Sequence, residues 1–121
     1  MSDQRQRLGQ KGEGIAADFL VKNGYTLVEQ NYRTRNAELD IIAREGGCLC
    51  FVEVKTRTSI TKGLPKESVH QAKQRKIISG ALFYLKENQI VNQRVRFDVV
   101  EISFQDQAPE VTLIKNAFGE V

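Results

Sequence analysis

Glu38, Asp40, Glu53 and Lys55 interrupt the stretch AELDIIAREGGCLCFVEVKTR, Ala37 to Arg57, whose remaining pattern is that of two strands meant for burial. Side chains alternate faces along a strand. Glu38 and Asp40 therefore share one face and Leu39 and Ile41 the other, while Glu53 groups with Phe51, Lys55 and Arg57, opposite Cys50, Val52 and Val54. The REGG turn joins the strands into a hairpin, and a two-residue slip in its register moves no side chain across the sheet. Asp40, Glu53 and Lys55 thus converge on one patch. Two neighbouring carboxylates repel, so in a partly buried site at least one holds its proton more tightly unless a cation joins them. All-oxygen ligands of this hardness select Mg2+ or Mn2+. Lys55 adds a positive charge where a phosphate or an attacking water would sit, which together is the equipment of metal-assisted phosphodiester hydrolysis. The competing reading of Glu53 and Lys55 is an exposed ion pair worth under about 1 kcal/mol.

Helical spacing of Ile15, Ala16, Phe19 and Leu20 predicts a first helix from about Gln10 to Asn23, stopped by Gly24, with the polar residues 1–7 frayed. Glu13 lies at the flank of its apolar stripe, where a carboxylate usually has a partner; the alternative is a first-turn acid favoured by the helix dipole. Small Gly12, Ala16 and Ala17 let the helix approach a sheet closely. The segments YTLVEQNYR, ELDIIA and CLCFVEVKTR read as three strands, and TSITKGLPKES as a loop ending in a helix start at or near Ser68. The next helix carries Val69, Ala72, Ile77, Ile78, Ala81, Leu82 and Leu85 at three- or four-residue spacing, and RVRFDVVEISF and EVTLIKNAF supply two more strands. The order α, β, β, β, α, β, β is an α/β fold, a mixed sheet of about five strands flanked by helices. At 121 residues the chain is a single domain, 1–121.

Charge is uneven although the net is only +3. Residues 1–76 hold 14 Lys and Arg against 9 Asp and Glu, and residues 77–121 hold 4 against 6. Between Lys55 and Lys76 the cations Arg57, Lys62, Lys66, Lys73, Arg75 and Lys76 meet a single acid, Glu67, a run that suits a polyanion or, more plainly, a solvated face. Cys48 and Cys50, two apart on one strand, are packing residues in a reduced, cytoplasmic protein rather than a disulfide, and with only His70 beside them they do not make a zinc site. His70 itself reads as a helix-surface residue. No run of apolar residues long enough for a membrane span and no secretory signal is present.

Asp40 followed by FVEVKTR resembles the PD-(D/E)xK signature of restriction-endonuclease-like nucleases. From GQKGEGIAADFLVKNGY through AELDIIAREGG, FVEVKTR, GLPKESVHQAKQRKI and RFDVVEI to NAF, residues 8–118 look like the YraN-type family of small uncharacterised bacterial proteins, similar in architecture to archaeal Holliday junction resolvases. The resemblance implies a restriction-endonuclease-like fold and a site of Glu13, Asp40, Glu53 and Lys55, with Glu13, Asp40 and Glu53 on the metal and Lys73 as a basic helix position nearby. Leu39 stands where the signature has Pro, and Ala37 where relatives carry Gly. The expected function is a Mg2+- or Mn2+-dependent endonuclease acting on DNA, branched or junction structures among its substrates, with Arg57, Lys62, Lys66, Lys73, Arg75 and Lys76 gripping phosphates. A two-fold homodimer would suit symmetric cutting. The alternatives are a nucleic-acid binder without cleavage and a protein-interaction module on the same fold.

Overall fold

Two amphipathic helices and five strands form a three-layer arrangement in the computed structural model, which describes residues 2–57, 69–104 and 108–119. In chain order they are α1 (Ser2–Lys22), β1 (Thr26–Arg33), β2 (Glu38–Glu45), β3 (Cys48–Arg57), α2 (Gln71–Glu87), β4 (Arg94–Ser103) and β5 (Glu110–Phe118). The sheet runs β1-β2-β3-β4-β5, antiparallel throughout except for the parallel β3–β4 pair, which α2 connects as a crossover. This is the expected mixed sheet, consistent with a restriction-endonuclease-like fold.

Each face of the sheet carries one helix, and the strand alternation separates the two cores cleanly in β3. Cys50, Val52 and Val54 pack with Ala16, Ala17 and Leu20 of α1, while Leu49 and Phe51 pack with Ile77, Ala81 and Tyr84 of α2. Helix α1 extends well beyond the expected start at Gln10, back to Ser2; the Gln- and Arg-rich N-terminal stretch has good helix propensity and no proline to stop it. Helix α2 begins at Gln71, with His70 as an extended N-cap residue that makes no side-chain cap. The loop expected over residues 58–68, with Lys62, Lys66 and Ser68, lies outside the described residues.

The inward stripe of α2 is Ile77, Gly80, Ala81 and Tyr84. Ala72 and Leu82, expected inside, face solvent, Leu82 being 62% exposed. A three-or-four spacing accommodates both stripes; the aromatic ring decides between them, because Tyr84 meets Tyr32 and Phe51 edge-on at 5.0 and 5.9 Å. Among the described residues no helix is long and apolar enough to cross a membrane.

Both outer strands are irregular. β1 has a register shift between Leu27 and Glu29 and places Asn31 at φ 54, and the β4–β5 pairing shifts between Phe97 and Val99, where β5 carries Asn116 at φ 54.

Helix α1 sits close on the sheet because Gly12 has no side chain. A Cβ there would overlap Thr56 Cγ2. Thr is stiff at χ1 and cannot swing aside freely. Gly12→Ala should therefore cost about 1–3 kcal/mol and lower the melting temperature by several degrees. Adding Thr56→Ser, which removes the obstructing methyl, should recover most of the loss. A melt of Gly12→Ala as high as the parent's would show that the helix is not seated on β3 this tightly.

Candidate functional site

The hairpin that carries the acids is closed by Gly46 and Gly47, at φ 59 and 84, the two left-handed residues of a type I′ turn. Such a turn fixes register: Ile41 lies opposite Val52 and Ile42 opposite Phe51. Extending that register by one pair sets Asp40 opposite Glu53. Ile41–Val52 is the last regular pair, and beyond it the Val54 backbone N–H donates to Asp40 Oδ2 at 2.9 Å. A side-chain carboxylate thus takes an acceptor position at the end of the ladder, which anchors Asp40 directly against β3.

One strand expectation fails at this point. Leu39 packs on the α2 side with Tyr32, whereas Ile41 packs on the α1 side, so the two do not share a face. The register runs unbroken through the pairs Gln30–Ile41 and Tyr32–Leu39, leaving Asn31 opposite Asp40. Asn31 is left-handed, and asparagine tolerates that region better than most residues. The two-stranded ribbon turns over there, and Asp40 sits at the turnover.

Asp40 and Glu53 lie within hydrogen-bonding reach of each other. Glu53 is buried, 7% exposed, on the α2 side of the sheet, and its Oε2 lies 3.4 Å from Lys73 Nζ of α2. Burial is the first reason its carboxyl is pushed up to about 8; the charge of Asp40 adds to it, and Lys73 offsets part of the rise. Asp40 is raised too, chiefly by burial, with the Val54 N–H, the Glu53 hydrogen bond and Lys73 opposing. The pair is two like carboxyls held together, Glu53 buried and Asp40 half-buried, so that ionising both is disfavoured. Glu13, half-buried on α1, is raised by burial and by the charges of Asp40 and Glu38, against Arg33 and a hydrogen bond with Asn31. It faces the pair across Asn31 without joining it. Among the described residues no three His, Cys, Asp or Glu side chains form a ready metal-ligand group.

The cations are distributed differently from the expectation. Lys55 is exposed, on the Glu53 face of β3. Arg57 is not directed at solvent: its Nε lies 2.7 Å from Glu101 Oε2, both side chains 13% exposed, an ion pair by distance whose N–H is not aimed at the oxygen. The parallel β3–β4 pairing, with Lys55 beside Glu101 and Arg57 beside Ser103, supplies this partner, so the Arg57 charge is shared with Glu101. On α2, Lys73 and Lys76 face a groove opposite the β1–β2 turn, while Arg75 lines a separate groove toward Gly119. Cys48 and Cys50 are unbridged and pack against the α1 side, burial raising the Cys50 thiol to about 12.

Sequence reasoning missed two groups. Arg33 and Arg35 line, from the β1–β2 turn, the groove that Lys73 and Lys76 line from α2. Asp98, fully buried on the other side of the sheet, accepts from Tyr25 Oη at 2.8 Å, from Arg96 Nε at 2.9 Å and from the Asn116 backbone N–H at 2.9 Å. Arg96 also reaches Glu45 at 2.8 Å, and Lys115 reaches Glu45 at 3.1 Å. An acid in the apolar run RFDVVEI with an arginine two residues before it, hence on the same face, was the available signal. Each carboxylate oxygen of Asp98 has a donor, so this network braces the sheet.

A profile of the uncharacterised protein family UPF0102 matches residues 12–102. A UPF0102 protein of Desulforapulum autotrophicum is 52% identical over 118 residues, 98% of each chain. One from Trichlorobacter lovleyi is 46% identical over 115 residues, 93% of this chain and 91% of its own. Another, from Acetivibrio thermocellus, is 43% identical over 122 aligned positions, 96% and 94% of the two chains.

The two acid systems should respond oppositely to mutation. Glu53 holds its proton more tightly folded than unfolded, so the folded chain binds more protons between pH 4.5, the ordinary glutamate value, and about 8. Without divalent metal, stability should fall as pH rises through that window. Asp40→Asn keeps an acceptor for Val54 and removes one charge, so it should flatten the slope and raise the melting temperature at pH 8 by a few degrees. Asp98→Ala leaves the Tyr25 hydroxyl and the Asn116 N–H without their acceptor and Arg96 with Glu45 as its remaining carboxylate, and should cost about 3 kcal/mol or more at the same pH. Thermal melts in chelator across the window test both; an Asp40→Asn loss as deep as that of Asp98→Ala would mean the pair supports the fold.

Proposed function

The chain belongs to the uncharacterised protein family UPF0102, and on that premise we propose that it is a divalent-metal-dependent nuclease hydrolysing phosphodiester bonds in DNA, branched or junction structures among them. The carrying observation is the Asp40–Glu53 contact, a buried and a half-buried carboxyl whose protons are both held more tightly than usual and which a divalent cation would relieve. Hard oxygen donors suit Mg2+ or Mn2+, and Mg2+ is commonly held by one or two carboxylates plus water and substrate phosphate, so the absence of a third ready ligand among the described residues fits. Asp40 and Glu53 would hold it, with Glu13 adding negative charge from across Asn31. When bound, the ion acidifies water and withdraws charge from the phosphoryl oxygens.

The protein's own groups have separable tasks. The Val54 N–H fixes the orientation of Asp40. Lys73 partly balances Glu53 and favours its ionised form. Lys55, two residues on from Glu53 and exposed on the same face, is placed to stabilise the charge that develops on phosphorus in the transition state. The likeness to PD-(D/E)xK nucleases supports the same roles. Binding without cleavage is the second reading, favoured by Glu13 standing apart from the pair.

Cleavage of branched, flapped and linear DNA with millimolar Mg2+ or Mn2+, an order-of-magnitude choice for a weak site, separates the two. Lys55→Ala should lose roughly a hundredfold or more in cleavage rate with little change in DNA affinity. In parallel, Mn2+ should raise the melting temperature of the parent by mass action and leave Asp40→Asn unmoved. A parent that binds DNA, cuts none of these substrates and shows no metal-dependent shift would transfer the assignment to the binder.

A further inference from the structure

A groove of about 460 Å3 runs beside the acid pair, between the β1–β2 turn and the first half of α2. We propose that it is a track for the sugar–phosphate backbone of one nucleic-acid strand, with Arg35 and Lys76 as phosphate contacts on opposite walls. The proposal rests on the nuclease reading for its purpose, and on the groove alone for its chemistry.

Both walls are built rigidly. In the turn, the Thr34 backbone N–H donates to the Ala37 carbonyl at 2.8 Å, and Thr34 Oγ1 accepts from the Asn36 and Ala37 backbone N–H groups at 3.3 and 3.0 Å. The Thr34 hydroxyl is thereby used to hold the turn. Across from it, Gly80 brings α2 down onto the turn's base: a Cβ at Gly80 would stand 3.1 Å from the Ala37 methyl and 3.2 Å from Leu39 Cδ2. The Ala37 methyl is accommodated by this glycine. Little has to be ordered when a ligand arrives, which favours binding.

The charges on the walls are of two kinds. Arg33 is answered by Glu38 at 2.9 Å and Lys73 by Glu53 at 3.4 Å. Arg35 and Lys76 are exposed and, among the described residues, make no ion pair. The groove is therefore positive after its internal pairs are counted, and the surplus sits on both sides of it. A polyanion passing between them meets a cation on each side. Lys73, which lines the groove, also touches Glu53, so a strand lying there is one side chain away from the acid pair.

The lining also states what the groove does not read. Among the described residues no aromatic ring lines it, so they offer no stacking platform for bases. Contacts to phosphate position a strand without reading its sequence. A single strand, whose backbone is free to follow a concave surface, suits a groove with a cation on each wall better than a stiff duplex does.

Fluorescence anisotropy with a short fluorescein-labelled single-stranded DNA and its blunt duplex, titrated against salt in chelator, tests the track. For the single strand, Arg35→Ala and Lys76→Ala should each lower the steepness of log affinity against log salt by about 0.7, and the double variant by about twice that. Two unrelated single-stranded sequences should bind alike. Arg33→Ala, whose charge is already shared, should change the slope less. Arg35→Glu with Lys76→Glu should abolish binding while leaving the circular dichroism spectrum and melting temperature near the parent's. A parent that binds neither oligonucleotide, a double variant with an unchanged slope, or tighter binding of the duplex than of the single strand would each overturn the track. Cleavage with Mn2+ is scored separately: slopes that fall as described in a protein that never cuts leave the track standing without the nuclease, and undiminished slopes in a protein that cuts remove the track alone.

Discussion

Two carboxyl groups brought together out of water repel each other and each loses hydration, and the hairpin of β2 and β3 imposes this on Asp40 and Glu53. Everything near them can be understood as a response to that constraint. The Gly46–Gly47 turn removes the freedom to slip register. The Val54 N–H gives Asp40 a donor from the backbone, which cannot swing away. Lys73 comes from the opposing helix to balance Glu53 but stays half-exposed, so its charge is only partly committed. A fold that needed only stability would place leucines at these positions. Strain kept at a site and supported from every side is what functional sites show.

The contrast with Asp98 sharpens this. That carboxylate is more deeply buried than Glu53, yet hydroxyl, guanidinium and backbone donors surround it. Its burial is matched donor by donor, as the interior of a stable protein requires. Asp40 and Glu53 have each other, one amide and one lysine. The same residue chemistry therefore divides into a brace on the α1 side of the sheet and a poorly compensated pair at its end beside α2.

What could be read in advance followed from local periodicity. The alternation in CLCFVEVKTR assigned both faces of β3, and the small residues of α1 announced its close seat on the sheet. Asp40 and Glu53 were paired by a turn that sequence displays openly. Other features depended on residues far apart in the chain. Arg57 looked like a free cation until the parallel crossover placed Glu101 beside it. Leu39 and Ile41 parted because Asn31, on another strand, is left-handed, a backbone state that side-chain alternation does not encode. Tyr84 was overlooked as the residue that orients α2, since spacing alone allowed a stripe through Leu82. Arg35 sat in a turn whose wall across the groove, Lys76, lies on α2, beyond the whole of β2 and β3.

The irregularities of the two outer strands bear on the chain's company with other copies of itself. A sheet edge offers unpaired amides and carbonyls in a straight row, which invites a foreign strand to add on. Here neither margin is straight: β1 is displaced between Leu27 and Glu29 and bent at Asn31, and β5 is displaced at Asn116, whose amide is already given to Asp98. Lys115 stands beside that last break with its ammonium on Glu45. Runaway polymerisation through strand addition is thus discouraged at both margins of the sheet.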